Sequence, residues 1–460
     1  MTSRDDPTVA FIRVACVPLD GSHASGTLDE AQAILAAHPD VATASIHTAA
    51  VLGEDAAVRR FLSIDPGAAT TTGGPHGWDA LTHLCFSRYL RLDRARSDGF
   101  VRAAEALLDA GASANTGWYE NDHQPRPEWE SALYGAAGVA HHAGLTRLLL
   151  ERGADPNDEE VPYHAPEGWD NEALQVLLES GRLTKDSLAT MLLRKADWHD
   201  RDGVALLLAH GADPNHFGRW GRTAFHHALL RDNSLEIIEL LLNHGADLTL
   251  AVESREESHP GVSGKSAIAL AAREGRGDVL DLFEQRGIPM ELYGVDRLIA
   301  ACARDDAAGV RAIAEREPHL VRELLADGSA LLARFALTGN TGGVRQLLDL
   351  GVPVTAMYAP GDGYFGIARN STALHVAAWL AQHETVRLLI ERGAPVDARD
   401  GAGQTPLALA VRACVDSYWT ERRSPESVQA LLASGASLDG VAYPSGYAEV
   451  DTLLLQNGAR

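Results

Sequence analysis

A three-residue motif, Gly-Ala-Asp or a close variant, recurs along the chain after leucine-rich runs. Most successive copies lie 34, 42 or 58 residues apart, and a basic unit of about 33 residues with inserted loops accounts for these spacings. A period of this length indicates a repeat architecture, in which each unit packs against its neighbours. The copies are Gly111-Ala112-Ser113, Gly153-Ala154-Asp155, Gly211-Ala212-Asp213, Gly245-Ala246-Asp247, Gly351-Val352-Pro353, Gly393-Ala394-Pro395 and Gly435-Ala436-Ser437.

The residues around each copy of the motif predict a pair of helices. Leu240-Leu241-Leu242 belongs to an amphipathic helix, and Gly245 supplies the left-handed backbone that ends it. In the preceding copy, Asp213-Pro214-Asn215 turns the chain outward, because proline cannot continue a helix. A shorter helix then starts near Thr223, whose hydroxyl group can cap it. Stacking of such pairs buries their apolar faces, so Leu241 is expected to lie in the core.

The length of the chain agrees with an extended array. Its 460 residues exceed the length at which a single globular core usually stops growing, which is about 250–300 residues. Hydrophobic residues make up 45% of the sequence, a normal value for a folded protein. A core that extends lengthwise, unit by unit, satisfies both observations.

One stretch carries the repeat in full. Residues 221–228 read Gly-Arg-Thr-Ala-Phe-His-His-Ala, a second helix follows at 235–242, and Gly245-Ala246-Asp247 ends it. This order resembles the ankyrin repeat, whose pattern is G-x-T-P-L-H-x-A-A, a second helix, and L-L-x-x-G-A-D. Further close copies begin at Ser371-Thr372-Ala373-Leu374-His375 and at Gly403-Gln404-Thr405-Pro406-Leu407. In this family the histidine of the first motif is structural, a role that the resemblance extends to His226 and His375.

The resemblance implies an all-α solenoid of stacked helix-turn-helix units, with about 11–13 repeats. We expect residues 1–26 to form an N-terminal segment that is part of a capping unit. The repeat array is expected over residues 27–435, and a C-terminal capping unit over residues 436–460.

The sequence departs from the family pattern in one short unit and in several insertions. The unit near 153–181 has only 28 residues, and Pro166 cuts short its first-helix segment Val161-Pro162-Tyr163-His164-Ala165. A truncated first helix and a bend in the stack are therefore expected there. Inserted residues fall at the projecting finger loops, about 114–130, 249–263 and 354–370, and between paired helices, around 91–99 and 415–424.

Charge and cysteine spacing exclude several classes of protein. The net charge of −23 and the absence of a basic stripe argue against nucleic-acid binding. The apolar runs are shorter than a membrane span, which needs about 20 residues. An acidic N-terminus gives no export signal. The cysteines Cys16, Cys85, Cys302 and Cys414 lie far apart without a CxxC spacing, which favours a reducing, cytoplasmic location.

Sequence motifs for catalysis or cofactor binding are weak. Gly361-Asp362-Gly363-Tyr364-Phe365-Gly366 matches G-x-G-x-x-G, but it lies in an inserted loop rather than in a βαβ unit. The pairs His141-His142 and His226-His227 are adjacent, so on a helix their side chains point in different directions. We therefore expect no enzyme activity, no cofactor and no metal site.

Aromatic residues are concentrated in the first half of the chain, several of them beside polar groups. In the family such positions line the concave face, and tryptophan and tyrosine are favoured anchors at interfaces. Packing of each ring onto its own inserted loop is the alternative. The candidate partner-binding residues are Trp78, Trp118, Tyr119, Trp129, Tyr163, Trp169, Trp198 and Trp220.

The sequence thus predicts a protein–protein interaction module that binds an unknown protein through its concave groove and finger loops. The acidic balance favours a partner with basic residues, without nucleic acid or membrane, and the chain is expected to be a monomer. A small-molecule-binding or enzymatic pocket at the bend near residues 118–230 is the alternative. A scaffold without any binding hot spot also stays open.

Overall fold

A computed structural model describes residues 6–121, 126–218, 220–253 and 262–459. The chain divides into two compact units. Unit 1 comprises Met1–Arg219 and Leu240–Gly245, and unit 2 comprises Trp220–Glu239 and Ala246–Arg460. Both consist mainly of short helices that pack against the next pair along the chain, so the fold is all-α with a repeat architecture, as predicted.

Short helices succeed one another up to residue 209, and most are shorter than three turns. They are α1 (Pro7–Ala15), α2 (Asp29–Ala37), α3 (Ile46–Val51), α4 (Asp55–Ile64), α5 (Ala80–Cys85), α6 (Arg88–Leu92), α7 (Ser97–Asp109), α8 (Ala132–Tyr134), α9 (Ala143–Glu151), α10 (Glu160–His164), α11 (Glu172–Glu179), α12 (Lys185–Asp197) and α13 (Arg201–Ala209). Single-turn 3₁₀ segments lie at Pro39–Thr43, Pro66–Ala69 and Arg94–Arg96, and a π-helical segment lies at Gly135–Val139.

The second half of the chain continues the pattern. Its helices are α14 (Ala224–Leu230), α15 (Leu235–Asn243), α16 (Ala267–Arg273), α17 (Gly277–Gln285), α18 (Val295–Ala303), α19 (Ala307–Arg316), α20 (Pro318–Ala326), α21 (Gly328–Leu337), α22 (Thr341–Asp349), α23 (Ala373–Trp379), α24 (His383–Glu391), α25 (Pro406–Asp416), α26 (Glu426–Ala433) and α27 (Ala448–Gln456). A 3₁₀ segment lies at Thr420–Arg422. Each predicted capping segment contains one of these helices, while the boundaries of the array remain predictions.

The helix ends have the glycine and threonine features that the sequence predicted. Gly211 and Gly245 have φ angles of 88° and 84°, in the left-handed region that ends the preceding helix. Thr223 and His226 form a reciprocal capping box at the start of α14. Leu241 is 1% exposed, which confirms its predicted place in the core.

The two histidines of the repeat motif are structural, as the resemblance implied. His226 Nδ1 lies 2.9 Å from Thr223 Oγ1, and its Nε2 lies 3.0 Å from the carbonyl oxygen of Leu250. His375 repeats this arrangement with Thr372. Each ring therefore ties the start of one helix to a neighbouring loop. Burial lowers the pKa of His226 to about 4, so its imidazole is neutral at pH 7.

The short unit has the truncated helix that Pro166 predicted. Helix α10 spans only five residues, Glu160–His164. Pro162 stands inside it, where its missing N–H group falls among the unpaired donors of the first turn. The bend predicted at this unit stays a prediction.

Two of the finger insertions form small antiparallel hairpins. Strands β1 (Gly117–Glu120) and β2 (Glu128–Ser131) build the first, and β3 (Met357–Tyr358) pairs with β4 (Ser371–Thr372) in another. Much of the predicted finger at 249–263 lies outside the described residues. An isolated antiparallel β-bridge joins Ala251, in this finger, to Ser266, which follows the finger in the sequence.

The G-x-G-x-x-G match lies within the finger that joins β3 and β4, which is an ordered hairpin rather than a flexible loop. Asp362 and Ile367 exchange backbone hydrogen bonds of 2.8 Å, and Phe365 is 3% exposed. Its backbone oxygen accepts a 2.7 Å hydrogen bond from the indole of Trp379. Within the described ranges the strands form only two-stranded antiparallel sheets, so this loop lacks the βαβ context of a dinucleotide site. No described helix is both long and apolar enough to cross a membrane.

Candidate functional site

The first finger hairpin presents two chemically different faces. Its register pairs Trp118 with Glu130 and Tyr119 with Trp129. Directly opposed residues in an antiparallel pair project on the same side, and successive residues alternate. One face therefore carries Trp118 and Glu130, while the other carries Tyr119 and Trp129.

The outer face of the hairpin is an exposed aromatic pair. Tyr119 is 59% exposed and Trp129 is 36% exposed. Their ring centroids lie 4.7 Å apart in an edge-to-face arrangement, which orders both side chains without burying them. These two sequence-predicted residues are thus brought together on the surface of unit 1.

A second aromatic pair lies on the same unit. Trp169 is 65% exposed, and its ring stands perpendicular to that of Trp198 at a centroid distance of 5.3 Å. A buried ion pair supports this region, because Lys195 Nζ lies 2.8 Å from Asp200 Oδ2. Asn171 donates a 2.8 Å hydrogen bond to the same oxygen of Asp200, the N-cap residue of α13, and so holds the loop after Trp169 against the start of α13.

The other predicted residues have diverse surroundings. Tyr163 is half-buried beneath the guanidinium group of Arg194, whose carbon lies 4.1 Å from the ring centroid. Trp220, in unit 2, stacks on His227 at 5.5 Å with an interplanar angle of 10°. Tyr163 and Trp220 are both half-buried, whereas Tyr119 and Trp169 are exposed.

Trp78 and Trp118 are buried, and their predicted contact with a partner stays a prediction. They are 6% and 8% exposed, and their ring centroids lie 5.2 Å apart. Trp78 also stacks on His76 at 4.5 Å. Loop packing, the alternative considered for the aromatic residues, describes these two.

The inner face of the hairpin meets α10 in a cluster of carboxylates. One oxygen each from Glu128, Glu130 and Glu160 lies within 4.8 Å of the other two. Glu130 is 1% exposed, and its Oε2 has no hydrogen-bond partner. Burial, together with the nearby negative charges of Glu160 and Glu120, raises the pKa of Glu130 to about 8. The surroundings of Glu130 therefore disfavour the charged form of its carboxyl group.

Histidine and tyrosine side chains border this cluster. His23 Nδ1 lies 2.8 Å from the Tyr134 hydroxyl group and 4.0 Å from Glu130 Oε2. His164 Nε2 lies 3.1 Å from Glu160 Oε2. Burial alone would lower the pKa of His164, but hydrogen bonds to Glu160 and Glu167 raise it to about 9. His164 is thus a cation at pH 7, whereas burial lowers the pKa of His23.

A π-helical segment positions the tyrosine. Gly135–Val139 follows Tyr134 directly, and such segments are frequent at functional sites. A Cβ atom on Gly138 would lie 2.7 Å from Tyr134 Cδ2 and 2.9 Å from His164 Cβ. Only glycine therefore allows the tyrosine and histidine rings to approach to 5.2 Å at this point.

The sequence interpretation missed His23, Glu130 and Glu160 as members of one site. Their numbers are too far apart to form a local motif. The alternation Glu128-Trp129-Glu130 is the one available signal, because it indicates a strand with both carboxylates on one face.

Comparison with known proteins identifies the repeats. A family model described as ankyrin repeats matches three times, at residues 163–252, 192–293 and 335–440. The human protein named transient receptor potential cation channel subfamily A member 1 is 26% identical over 302 residues, or 64% of this chain and 23% of that protein.

Two further relatives share shorter regions. Protein PhlB of Serratia liquefaciens is 33% identical over 153 residues, covering 32% of this chain and 63% of that protein. Serine/threonine-protein kinase 12 of Arabidopsis thaliana is 31% identical over 113 residues, covering 24% of this chain and 23% of that protein. The chain thus spans about a quarter of the kinase and of the channel subunit. Because the family model matches more than half of the residues, the chain belongs to the ankyrin-repeat family.

Proposed function

We propose that the chain is a recognition module that binds a partner protein through its finger loops and concave groove. Ankyrin repeats are generally protein–protein interaction modules rather than catalysts. The observation that carries the proposal is two aromatic contacts on unit 1, namely the exposed pair Tyr119 with Trp129 and the exposed Trp169 with the half-buried Trp198. Large aromatic side chains already fixed in one orientation lose little entropy when they anchor a partner.

Charge favours a partner with basic residues. The chain has a net charge of −23, and the exposed carboxylates Asp170 and Glu172 lie one and three residues after Trp169. An exposed indole beside carboxylates suits an arginine or lysine side chain, since the ring face and the anions both attract a cation. The aromatic pairs would supply the apolar contact, and the acidic field would speed the encounter.

Affinity capture with the full chain from its native cell, followed by quantitative binding of the captured protein, tests this proposal. Trp169→Ala and Tyr119→Ala are each expected to weaken binding by about 2 kcal/mol or more, which is roughly 30-fold. Tyr293→Ala is the matched control, because Tyr293 is a 74% exposed aromatic residue of unit 2 and belongs to neither pair. If both aromatic variants bind as tightly as the control, the proposed surface is wrong.

A small-ligand pocket is the second candidate, and the polar cluster behind the hairpin supports it. His23, Tyr134 and Glu130 converge within 4.0 Å through the His23 ring. Glu130 is only 1% exposed, so a molecule larger than an ion could reach it only if the hairpin opened. An organic amine that bound there would raise the melting temperature of the wild type but not that of Glu130→Gln.

A further inference from the structure

We propose that Glu128, Glu130 and Glu160 form a binding site for a hard divalent cation such as Ca²⁺ or Mg²⁺. The site lies between the inner face of the first finger hairpin and α10, within unit 1. It differs from the outer aromatic face, and its existence does not depend on the recognition function.

The spacing of the carboxylates suits one shared ion. Their ligand oxygens all lie within 4.8 Å of one another. Two oxygens that flank one ion are separated by at most twice the metal–oxygen distance, which is about 4.2 Å for Mg²⁺ and about 5 Å for Ca²⁺. Three carboxylate ligands favour these hard cations over zinc or copper, which prefer imidazole and thiolate.

Unpaired buried atoms around the carboxylates give a second, independent reason. Besides Glu130 Oε2, the atoms His23 Nε2 and Trp118 Nε1 are buried without a hydrogen-bond partner. The side chain of His23 is 6% exposed, and its other ring nitrogen faces Glu130 at 4.0 Å. Orphaned polar atoms are rare in protein interiors because each loses its hydration, and an ion at the carboxylates would satisfy Glu130 Oε2 directly.

Two histidines lie within ion-pair distance of Glu130 and Glu160 among the described residues. The positive group His164 is shared between Glu160 at 3.1 Å and Glu167 at 3.0 Å. Among the described residues, the one ion-pair contact of Glu130 is with His23, whose Nδ1 lies 4.0 Å from Glu130 Oε2.

Thermal unfolding of the full chain with CaCl₂, MgCl₂ or MnCl₂ alone tests the site. A saturable rise in melting temperature, reversed by a chelator, is expected for at least one ion, because a ligand of the native state stabilises it by mass action. Terbium(III), a luminescent substitute for Ca²⁺, gives an independent signal. Its emission on excitation of tryptophan should be sensitised by the neighbouring indoles, which include Trp118 and Trp129 on the same hairpin, and should be lost in Glu130→Gln.

Variants decide whether the ion binds at these carboxylates. Glu130→Gln keeps the shape of the side chain and is expected to weaken ion binding at least tenfold. Glu128→Gln, at the half-buried edge, is expected to do the same should Glu130→Gln fold poorly. Glu151→Gln removes an exposed carboxylate of α9 and should bind within twofold of the wild type.

Two results would overturn the proposal. One is the absence of any saturable stabilisation of the wild type by the three ions and of any sensitised terbium emission. The other is unchanged ion affinity in both Glu130→Gln and Glu128→Gln, since the ion would then be bound elsewhere. Neither result would alter the binding of a protein partner to the outer aromatic face, so the two proposals can fail separately.

Discussion

At the scale of single residues, buried polar groups hold the repeats in register. The imidazole of His226 caps α14 through Thr223 and reaches the carbonyl oxygen of Leu250 in the next loop. A protonated ring could not accept a hydrogen bond in this setting, and its charge would lack solvation. Burial accordingly lowers the pKa of His226 to about 4. The same packing that orders the repeat therefore makes it sensitive to acid.

The first prediction is that His226 contributes to acid destabilisation. Its pKa is lower in the folded state than in the unfolded state, about 4 against 6.5, so the unfolded chain binds more protons and stability falls as pH drops from 6.5 towards 4. The loss from this group is at most about 3 kcal/mol. In urea titrations at pH 7 and pH 5, His226→Gln should show a smaller pH dependence than the wild type. His210→Gln, which removes an exposed histidine, should keep the pH dependence of the wild type. If the stability of all three proteins changed equally between pH 7 and pH 5, the proposed role of His226 would be contradicted.

At the scale of elements, short helices are stable because they stack. Most of them are too short to persist alone, since isolated helices below about 12–15 residues are marginal in water. Packing between successive pairs, such as α9 with α11 and α23 with α25, supplies the missing stability. This packing constrains the sequence in two ways: it requires a large apolar side chain at Leu241 of α15, and it requires the absence of a side chain at Gly138 of the π-helical segment.

The second prediction concerns the leucine core. Leu241 is 1% exposed, so Leu241→Ala should lower the free energy of unfolding by about 2–5 kcal/mol through lost burial and the remaining cavity. Leu455→Ala is the matched control, because Leu455 is 54% exposed on α27, and its effect should stay below about 0.5 kcal/mol. Chemical denaturation measures both. A loss below about 1 kcal/mol for Leu241→Ala would contradict the assigned core position.

The third prediction concerns the π-helical segment. In Gly138→Ala the new Cβ atom would clash with Tyr134 Cδ2 at 2.7 Å, so we expect a destabilisation of about 1–3 kcal/mol. The comparison is Gly144→Ala in α9, where the nearest neighbouring atom is 3.4 Å away. That variant should be neutral or more stable, because alanine is the better helix former. Similar melting temperatures for the two variants would show that Tyr134 is not held as described.

At the scale of the whole molecule, the balance of charge governs how partners approach. A net charge of −23 creates a long-range negative field, whereas the aromatic contacts act only at short range. Steering by the field affects the rate of association, and anchoring by buried rings affects the rate of dissociation. The two contributions can therefore be separated experimentally.

The fourth prediction follows for a captured partner measured by surface-based kinetics. The association rate constant should fall steeply as salt increases from about 0.05 to 0.5 M, because the Debye length shortens from roughly 14 Å to 4 Å. Trp169→Ala should leave this salt dependence unchanged and accelerate dissociation. An association rate that is insensitive to salt would exclude a basic partner, and the control Tyr293→Ala should match the wild type in both rates.

The sequence alone determined the helical repeat, because its signals are short-range. A glycine that ends a helix, a threonine that caps one and a leucine face are each encoded within about ten residues. The family motif added the structural role of His226, and Pro166 indicated the truncated helix α10. Insertions carry no repeat pattern, so the sequence marked where the fingers lie but not how they fold.

Only the tertiary structure decided which side chains meet. The register of β1 and β2 turns Trp118 inward and Tyr119 outward, although the two are neighbours in the sequence. Packing of successive repeats within unit 1 then brings His23 close to Glu130, and Glu130 close to Glu160 on α10. Residues that far apart in sequence become neighbours through hairpin register and helix packing, which depend on the whole array rather than on local preference. The acidic cluster and the burial of Trp78 and Trp118 therefore could not be predicted from the order of the residues.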